Sequence, residues 1–477
     1  MYRFFNKAID YIGRKSPILV HTPRADTLGN CAEEIFFGLL KAKREGKKII
    51  FLYPQSLVFG KHFANHKLID IYSTNVIPVR YVRLTVRWLL RNLVFRRFTV
   101  NQQIFNLQSP YCVQNRYASF IGGWLLNLEI VLMWLGYRAP LRGLRRIRRW
   151  IWPRDSARMV FNFAAMTPII GSSSLWKPNG VNYFFWEIIG SLDWRRQYEE
   201  YVPPKMIEHS RRFSEEMRVQ MGIPLSDWFV CLHVRESGFR NNTDKRDSSI
   251  ENYVEGVRII TDAGGWVVRI GDPSMTPLPQ MERVVDYPHT RFKTELMDIY
   301  LISHCRFFIG TNSGPSDVAT LFKKPMLLVN MTEWTVGFPL NKGDIAIIKH
   351  IYSRSRNRFL SMKEILDEPF DWQDFGGGLD EYLMVENTSY EIRQVIGEFL
   401  SGPKNFEYSE LQKKFNKRRN KQIHRWFDHP NPFGRGAPED EHSRMYRVAS
   451  RWNSAAGTLG QQYLEGNWLA DSLENVP

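Results

Sequence analysis

Two short stretches of this 477-residue chain carry groups that suit an anion. The first is the turn Thr311-Asn312-Ser313-Gly314-Pro315-Ser316-Asp317, between an apolar run at residues 307–310 and a helical pattern. Proline needs no N–H in the first turn of a helix, and serine and aspartate are common cap residues. A helix that begins here presents backbone N–H groups and a partial positive charge. The turn therefore predicts a phosphate or carboxylate site, with a helix cap that binds nothing as the alternative.

The second stretch is His233-Val234-Arg235-Glu236, which follows the apolar run at residues 229–232. An apolar strand that ends in polar and charged residues is a common place for a site, because ligands of open parallel sheets bind at the carboxyl ends of strands. Two such strand ends in one predicted domain indicate a shared site.

The elements around these stretches alternate between strand and helix, which predicts a parallel, Rossmann-like sheet. Strands are predicted at residues 228–234, 266–270 and 307–310, and helices at residues 250–263 and 297–303. Asp247 lies in the polar loop at residues 235–249, and Gly271 begins the turn after the second strand. The fold class is therefore α/β.

A β-α-β unit is predicted near the N-terminus, with strands at residues 18–20 and 49–54. Gly29 lies in the turn after the first strand, and Glu33 and Glu34 are placed in the first turn of the following helix. Acids at that position either stabilise the helix start or serve as catalytic carboxylates.

The formal net charge of +16 predicts an anionic partner: nucleic acid, a membrane surface or a phosphorylated small molecule. A hydrophobic content of 43% excludes a disordered chain, and the length favours two domains with extensions.

The four scattered cysteines form no CxxC pair, which argues for reduced, mostly buried thiols and against zinc. The N-terminus shows no secretory signal, so an intracellular protein is expected.

Residues from about 83 to 154 are both basic and aromatic. The apolar segment at residues 121–137 is about 17 residues long, at the lower limit for a membrane span, so a buried or interfacial helix is favoured. Arginines interleaved with tryptophans beside it predict an anionic membrane surface as partner. Nucleic acid is not expected, because no DNA- or RNA-binding motif accompanies the charge.

Val202-Pro203-Pro204 marks the predicted entry to a second domain. The predicted organisation is an N-terminal acceptor domain at residues 1–204 with the insertion at about 83–154, a donor domain at residues 205–400 and a helical extension at residues 401–477. The tail after about residue 370 shows little pattern, and its Lys413-Lys414 and Arg418-Arg419 pairs are interpreted as solvated helix faces.

Three motifs carry a family resemblance. Leu28-Gly29-Asn30, His233-Val234-Arg235 and the segment 298–305 leading to Asn312-Ser313 resemble, in the same order, motifs of bacterial fucosyltransferases. Residues 309–315 are also similar to the late donor-binding turn of heptosyltransferases, and the whole chain resembles a bacterial group assigned as glycosyltransferases. The resemblance implies the GT-B fold, two Rossmann-like domains with parallel sheets facing across a cleft, and a nucleotide sugar in that cleft.

The resemblance implies a role for each matched residue. Arg235 would pair with a donor phosphate through its planar, always charged fork, and His233 would shape the same pocket. The helix start at Ser313 would hold the pyrophosphate or the nucleotide. The implied donor-binding residues are Gly29, Asn30, His233, Arg235, Gly271, Asn312, Ser313, Gly314, Ser316 and Asp317.

Two positions depart from these families. Glu236 stands where such fucosyltransferases often carry a second arginine, and Asn30 stands where heptosyltransferases place a proposed catalytic aspartate. An amide cannot accept the proton of the acceptor hydroxyl. The implied catalytic residues are Arg235 and the carboxylates Glu33, Glu34, Glu236 and Asp247. Which carboxylate is the base or nucleophile stays open, as does the choice between inversion and retention.

The resemblance implies transfer of a sugar, from a GDP-fucose-like or other activated donor, to a glycan or lipid-linked acceptor of bacterial surface polysaccharide synthesis. The expected location is the cytoplasmic face of the inner membrane, as a peripheral protein. No D-x-D motif ends a strand in the second domain, so neither a metal nor a further cofactor is expected.

One alternative is a non-catalytic protein that docks to membrane or nucleic acid on a Rossmann-like scaffold. A nucleotide-sugar epimerase is weaker, since no G-x-G-x-x-G is present.

Overall fold

The structure, a computed structural model, describes residues 17–21, 28–44, 46–54, 65, 67–70, 76–82, 194–236, 245–332, 334, 338–367, 381–402, 407–428 and 455–468. The basic and aromatic insertion predicted at about 83–154 lies outside these residues. The described chain falls into two compact units. The first holds the described part of residues 17–82 with Arg196–Tyr201, and the second holds Trp194, Arg195 and the described residues from Val202 onward. The arrangement of two domains about a cleft stays a prediction.

The first unit contains a parallel three-stranded sheet in the order β1-β2-β3. Its elements are β1 (Ile18–His21), α1 (Leu28–Arg44), β2 (Lys48–Pro54), α2 (Lys67–Asp70), β3 (Val76–Val82) and α3 (Trp194–Glu199). The predicted β-α-β unit is confirmed by β1, α1 and β2. On the buried side of α1, the ring of Phe36 packs edge-on against Tyr198 and Tyr201.

The predicted position of two acids on α1 is wrong. Glu33 and Glu34 lie in the second turn rather than the first, because the helix begins at Leu28. The buried face of α1 starts with Cys31 and Ala32, one turn before Ile35, so tertiary packing extends the helix toward its N-terminus.

The second unit is built on seven parallel strands, which are β4 to β9 and the C-terminal strand β13 (Thr458–Leu459). In chain order the described elements from Glu208 to residue 367 are α4 (Glu208–Gln220), β4 (Phe229–Leu232), a 3₁₀ turn (Ile250–Tyr253), α5 (Val254–Asp262), β5 (Trp266–Arg269), β6 (Val284–Asp286), a second 3₁₀ turn (Tyr287–His289), α6 (Glu295–His304), β7 (Phe308–Gly310), α7 (Gly314–Leu321), β8 (Met326–Met331), β9 (Ile345–Ile348), β10 (His350–Ser353), β11 (Arg358–Phe359) and α8 (Met362–Asp367). These elements confirm the strands and helices predicted for residues 228–330.

The strand order in this sheet is β13-β9-β8-β7-β4-β5-β6, and all six pairings are parallel. Without β13, it is the order of doubly wound dinucleotide-binding folds, in which the first strand lies at the centre. Strands β4, β7, β8 and β9 are buried at every position, as expected where a parallel sheet is covered on both faces. Helix α5 packs on the C-terminal helix α9 (Ser389–Ser401), and α6 packs on α4 and α7.

The C-terminal part is more regular than its sequence pattern indicates. It adds β12 (Tyr382–Val385), α9 (Ser389–Ser401), α10 (Glu410–Asp428), β13 (Thr458–Leu459) and α11 (Gln461–Asn467). Strand β12 pairs with β10 in a small antiparallel sheet, and β13 joins the main sheet beside β9. A signal for α9 is present in the sequence, since Thr388 and Glu391 form a capping box.

The interpretation of Arg419 as a solvated side chain is wrong. Lys413 and Lys414 are exposed, but Arg419 is fully buried. Its guanidinium lies 4.2 Å from the ring centre of Phe338 and donates to the carbonyl oxygen of Trp334 at 3.3 Å. Burial lowers the pKa of Arg419 to about 9.

The buried thiols expected from the sequence are confirmed at Cys31, Cys231 and Cys305, while Cys112 lies outside the described residues. Among the helices that the structure describes, none combines the length and the apolar character needed to cross a bilayer. The apolar segment at residues 121–137 is not among them.

Candidate functional site

The two strand ends identified in the sequence lie side by side at the point where the sheet changes direction. From β4 the chain continues to β5 and β6 on one side, then crosses to β7 on the other side of β4. The N–H of His233, just after β4, donates to the carbonyl oxygen of Ile309 in β7 at 2.8 Å. Ligands of doubly wound sheets bind in the crevice outside such a switch point. The expectation that the two strand ends come together is met.

Helix α7 begins directly at this point, with Ser313 as its N-cap. The N–H of Ser313 donates to Oγ of Ser316 at 3.1 Å, and the N–H of Ser316 donates to the carbonyl oxygen of Ser313 at 3.0 Å. These bonds fix the first turn. The N–H of the half-buried Gly314 has no acceptor among the described residues, so it is a backbone donor at the helix start that a ligand could meet.

His233 is buried between the strand end and the helix start. Ser313 Oγ lies 3.2 Å from the carbonyl oxygen of Thr311 and 3.3 Å from Nδ1 of His233, so this hydroxyl links the imidazole to the turn after β7. Burial lowers the pKa of His233 from 6.5 to about 4, and the charges of Arg235 and Arg269 act in the same direction. The ring is therefore neutral at pH 7 and a weak base.

This depressed pKa predicts a pH dependence of stability. Between pH 6.5 and pH 4 the unfolded chain binds a proton at His233 that the folded chain does not, so stability falls as the pH falls. From pH 7 to pH 5 this residue should cost about 2 kcal/mol of unfolding free energy. Denaturant titrations of wild type and His233→Gln at both values would measure the difference. Equal losses in the two proteins would contradict the shift.

Arg235 is held at the site by Asp247. Its Nε lies 3.1 Å from Oδ1 of Asp247, and both side chains are partly buried. The loop that carries Asp247 is pinned to the strand end, because the N–H of Ser248 donates to the carbonyl oxygen of Arg235 at 2.9 Å. A guanidinium has five N–H groups, and a carboxylate on Nε sets the orientation of the whole fork. The ion pair therefore orients Arg235 at the end of β4.

Two further cationic side chains contact the loop that carries Asp247 and the turn at Asn312. Lys349 donates from Nζ to the carbonyl oxygen of Asp247 at 2.6 Å, and Arg246 contacts the carbonyl oxygen of Asn312 at 3.4 Å. The sequence analysis missed Lys349, although it directly follows the buried strand β9 just as His233 follows β4. The group of Arg235, Arg246 and Lys349 gives this edge of the sheet a positive field that favours a phosphate.

Three predicted donor-binding residues also have structural roles. Oδ1 of Asn312 accepts from the N–H of Thr332 at 3.4 Å, which ties the turn after β7 to the end of β8. Gly271 adopts φ of 154°, and a Cβ there would overlap the side chain of Met275. Asp317 lies in the first turn of α7, where a carboxylate stabilises the helix.

Glu236 is engaged by a buried arginine. Its Oε1 accepts from Nη2 of Arg269 at 2.5 Å, and its Oε2 accepts from the N–H and the hydroxyl of Thr276 at 2.8 and 2.9 Å. Arg269 is fully buried and also contacts Asp286 at 3.4 Å. The sequence analysis did not identify Arg269. These contacts favour a structural role for Glu236, as the partner of the buried Arg269, over a catalytic role.

The remaining candidates lie in the first unit. Gly29 is buried within the first turn of α1, Asn30 follows it, and Glu33 is half-buried one turn later with Glu34 beside it. The donor-binding or catalytic roles assigned to these residues remain predictions. Within the described residues, no group of three or more His, Cys, Asp or Glu side chains could hold a metal ion.

The comparisons with known proteins give a structural match. No protein-family model and no curated protein matches the sequence. A crystal structure of a glycosyl transferase family 9 protein from Veillonella parvula DSM 2008 is similar over 65% of this chain and 79% of that chain, with 12% sequence identity and a TM-score of 0.31. A TM-score this low does not establish a common fold. The class that the structure itself defines is an α/β protein with a doubly wound parallel sheet in its second unit.

Proposed function

We propose that this protein is a glycosyltransferase that binds the phosphates of a nucleotide sugar at the carboxyl ends of β4 and β7. The observation that carries the proposal is that Arg235 and the start of α7 follow two neighbouring strands, β4 and β7, at the switch point of the sheet. A guanidinium and a helix N-terminus are complementary to a pyrophosphate, and no dinucleotide fingerprint competes for the site.

The same groups suit the chemistry of transfer. When the sugar leaves, negative charge develops on the nucleoside diphosphate, and prearranged donors stabilise that charge. Arg235 and the N–H of Gly314 are the donors that we assign to this task. Asp247 then acts as a positioning residue through its ion pair with Arg235.

The acceptor that we propose is a glycan or a lipid-linked sugar of surface polysaccharide synthesis. The support is the motif resemblance together with the charge of +16, which suits both the donor phosphates and an anionic membrane surface. We place no metal ion in the reaction, since the cations of the site are able to neutralise the phosphates.

A thermal-shift screen against GDP, UDP, ADP, CMP and dTDP, with and without Mg²⁺, tests the donor site. A nucleotide at about 100 times its dissociation constant adds roughly 2.7 kcal/mol of stability, a shift of a few degrees in Tm. We expect one nucleotide to raise Tm without Mg²⁺. If no nucleotide does so while anionic vesicles bind tightly, the protein is the docking scaffold instead.

A further inference from the structure

A surface pocket of about 580 Å³ lies on α9, apart from the strand ends that form the donor site. Its walls are α9, the last turns of α5 at Ile259 and the start of α11 at Gln461 and Gln462. The volume falls within the range of about 300–1,000 Å³ that is usual for small-molecule sites.

One end of the pocket presents an aromatic ring. Tyr390 is 60% exposed although it begins a helix that packs against the sheet. Its hydroxyl accepts from Nε2 of Gln394 at 2.6 Å, so the side chain is held in place although most of it is exposed to solvent. An exposed, held aromatic face suits a ligand that is itself apolar on one face and polar at its edges.

The rest of the lining is polar without an excess of charge. Arg393 and Gln462 are exposed, and neither side chain has a partner among the described residues. The carboxylate of Glu398 is already used, because both of its oxygens accept from the N–H of Gln461 at 2.8 and 2.9 Å. One guanidinium and one carboxylate balance each other, which favours a neutral, hydroxyl-rich ligand over an anion.

Gly397 lines the pocket in the middle of α9. Glycine within a helix is unfavourable relative to alanine, so its presence calls for a reason. A Cβ at Gly256, on the neighbouring α5, would overlap Ile396, and close helix packing explains that glycine. A Cβ at Gly397 would meet no heavy atom within 4 Å, so neither packing nor a left-handed backbone requires it. Its effect is to leave one wall of the pocket without a side chain, where a ligand can approach the backbone.

We propose that this pocket binds a neutral saccharide unit, with the sugar ring stacked on Tyr390 and its hydroxyls paired with Arg393, Gln394 and Gln462. The site is separate from the donor site, and binding there requires no turnover. Its occupant would be a sugar of the acceptor or of the product glycan.

Saturation-transfer NMR with the methyl glycosides of glucose, galactose, mannose, N-acetylglucosamine, rhamnose and fucose tests the proposal. We expect saturation transfer to the ring protons of at least one glycoside, with no nucleotide present. Gly397→Leu, which fills the pocket from its wall, should abolish the signal, and Gly397→Ala, which places a methyl group where the ligand approaches the backbone, should weaken it. Because glycine is replaced by a better helix former in open space, the alanine variant should also have a higher Tm.

Tyr390→Ala provides a second variant that keeps the fold, since this side chain is mostly exposed, and it should also abolish the signal. Arg235→Ala should leave the signal intact, which separates this pocket from the donor site. The proposal is overturned if none of the six glycosides gives a signal, if Gly397→Leu and Tyr390→Ala both bind like wild type, or if Arg235→Ala removes the signal.

Discussion

Replacing Arg235 with alanine is expected to weaken binding of the stabilising nucleoside diphosphate about 10- to 100-fold, the value of a hydrogen bond to a charged group. In addition to this loss of affinity, kcat for sugar transfer should fall roughly 10²–10³-fold, because the guanidinium also stabilises the departing diphosphate. Titration calorimetry with the nucleotide and release of nucleotide from the donor sugar are the two measurements. The loss is expected to be large because Asp247 holds the guanidinium of Arg235 in one orientation before the ligand binds.

Two variants make this result specific. Arg258→Ala removes an equal charge from the exposed surface of α5 and should change both quantities less than twofold. Arg235→Lys keeps the charge without the planar fork, so it should recover part of the affinity and little of kcat. Turnover of Arg235→Ala within a few-fold of wild type would remove Arg235 from the mechanism and with it the proposed donor site.

The parts of this site that the sequence predicts are those coded by local pattern. The turn at residues 311–317 is a helix start because Ser313, Pro315 and Ser316 have local preferences for these positions. Strand β4, which directly precedes His233, is apolar along its whole length, as is typical of a buried parallel strand. Alternation of strand and helix then predicts that both ends lie on one edge of a sheet.

The parts that the sequence does not predict depend on contacts between distant residues. Lys349 reaches the carbonyl oxygen of Asp247 across 102 positions of the chain, and that pairing depends on the strand order. Arg419 looks like its exposed neighbours in the sequence, yet it is buried over Phe338 because α10 packs across the second unit. The early start of α1 has the same origin, since packing of Cys31 and Ala32 decides it.

The largest expected effect on stability belongs to Arg269. Its guanidinium is fully buried at the end of β5 and contacts Glu236 at 2.5 Å and Asp286 at 3.4 Å, besides donating to the carbonyl oxygen of Thr276. Arg269→Met should cost about 3–5 kcal/mol of unfolding free energy, because it leaves partly buried carboxylates without their cation. Denaturant unfolding measures the cost, and Arg258→Ala, an exposed site, should stay within about 0.5 kcal/mol of wild type.

Charge and packing can be separated at this position because methionine keeps much of the volume of arginine. If the two uncompensated carboxylates cause the loss, Arg269→Met combined with Glu236→Gln and Asp286→Asn should recover a large part of it. If lost packing is the cause, the triple variant should be no more stable than Arg269→Met alone. Recovery would show that Glu236 serves the fold through Arg269, which leaves Arg235 to meet the donor phosphates from the same strand end.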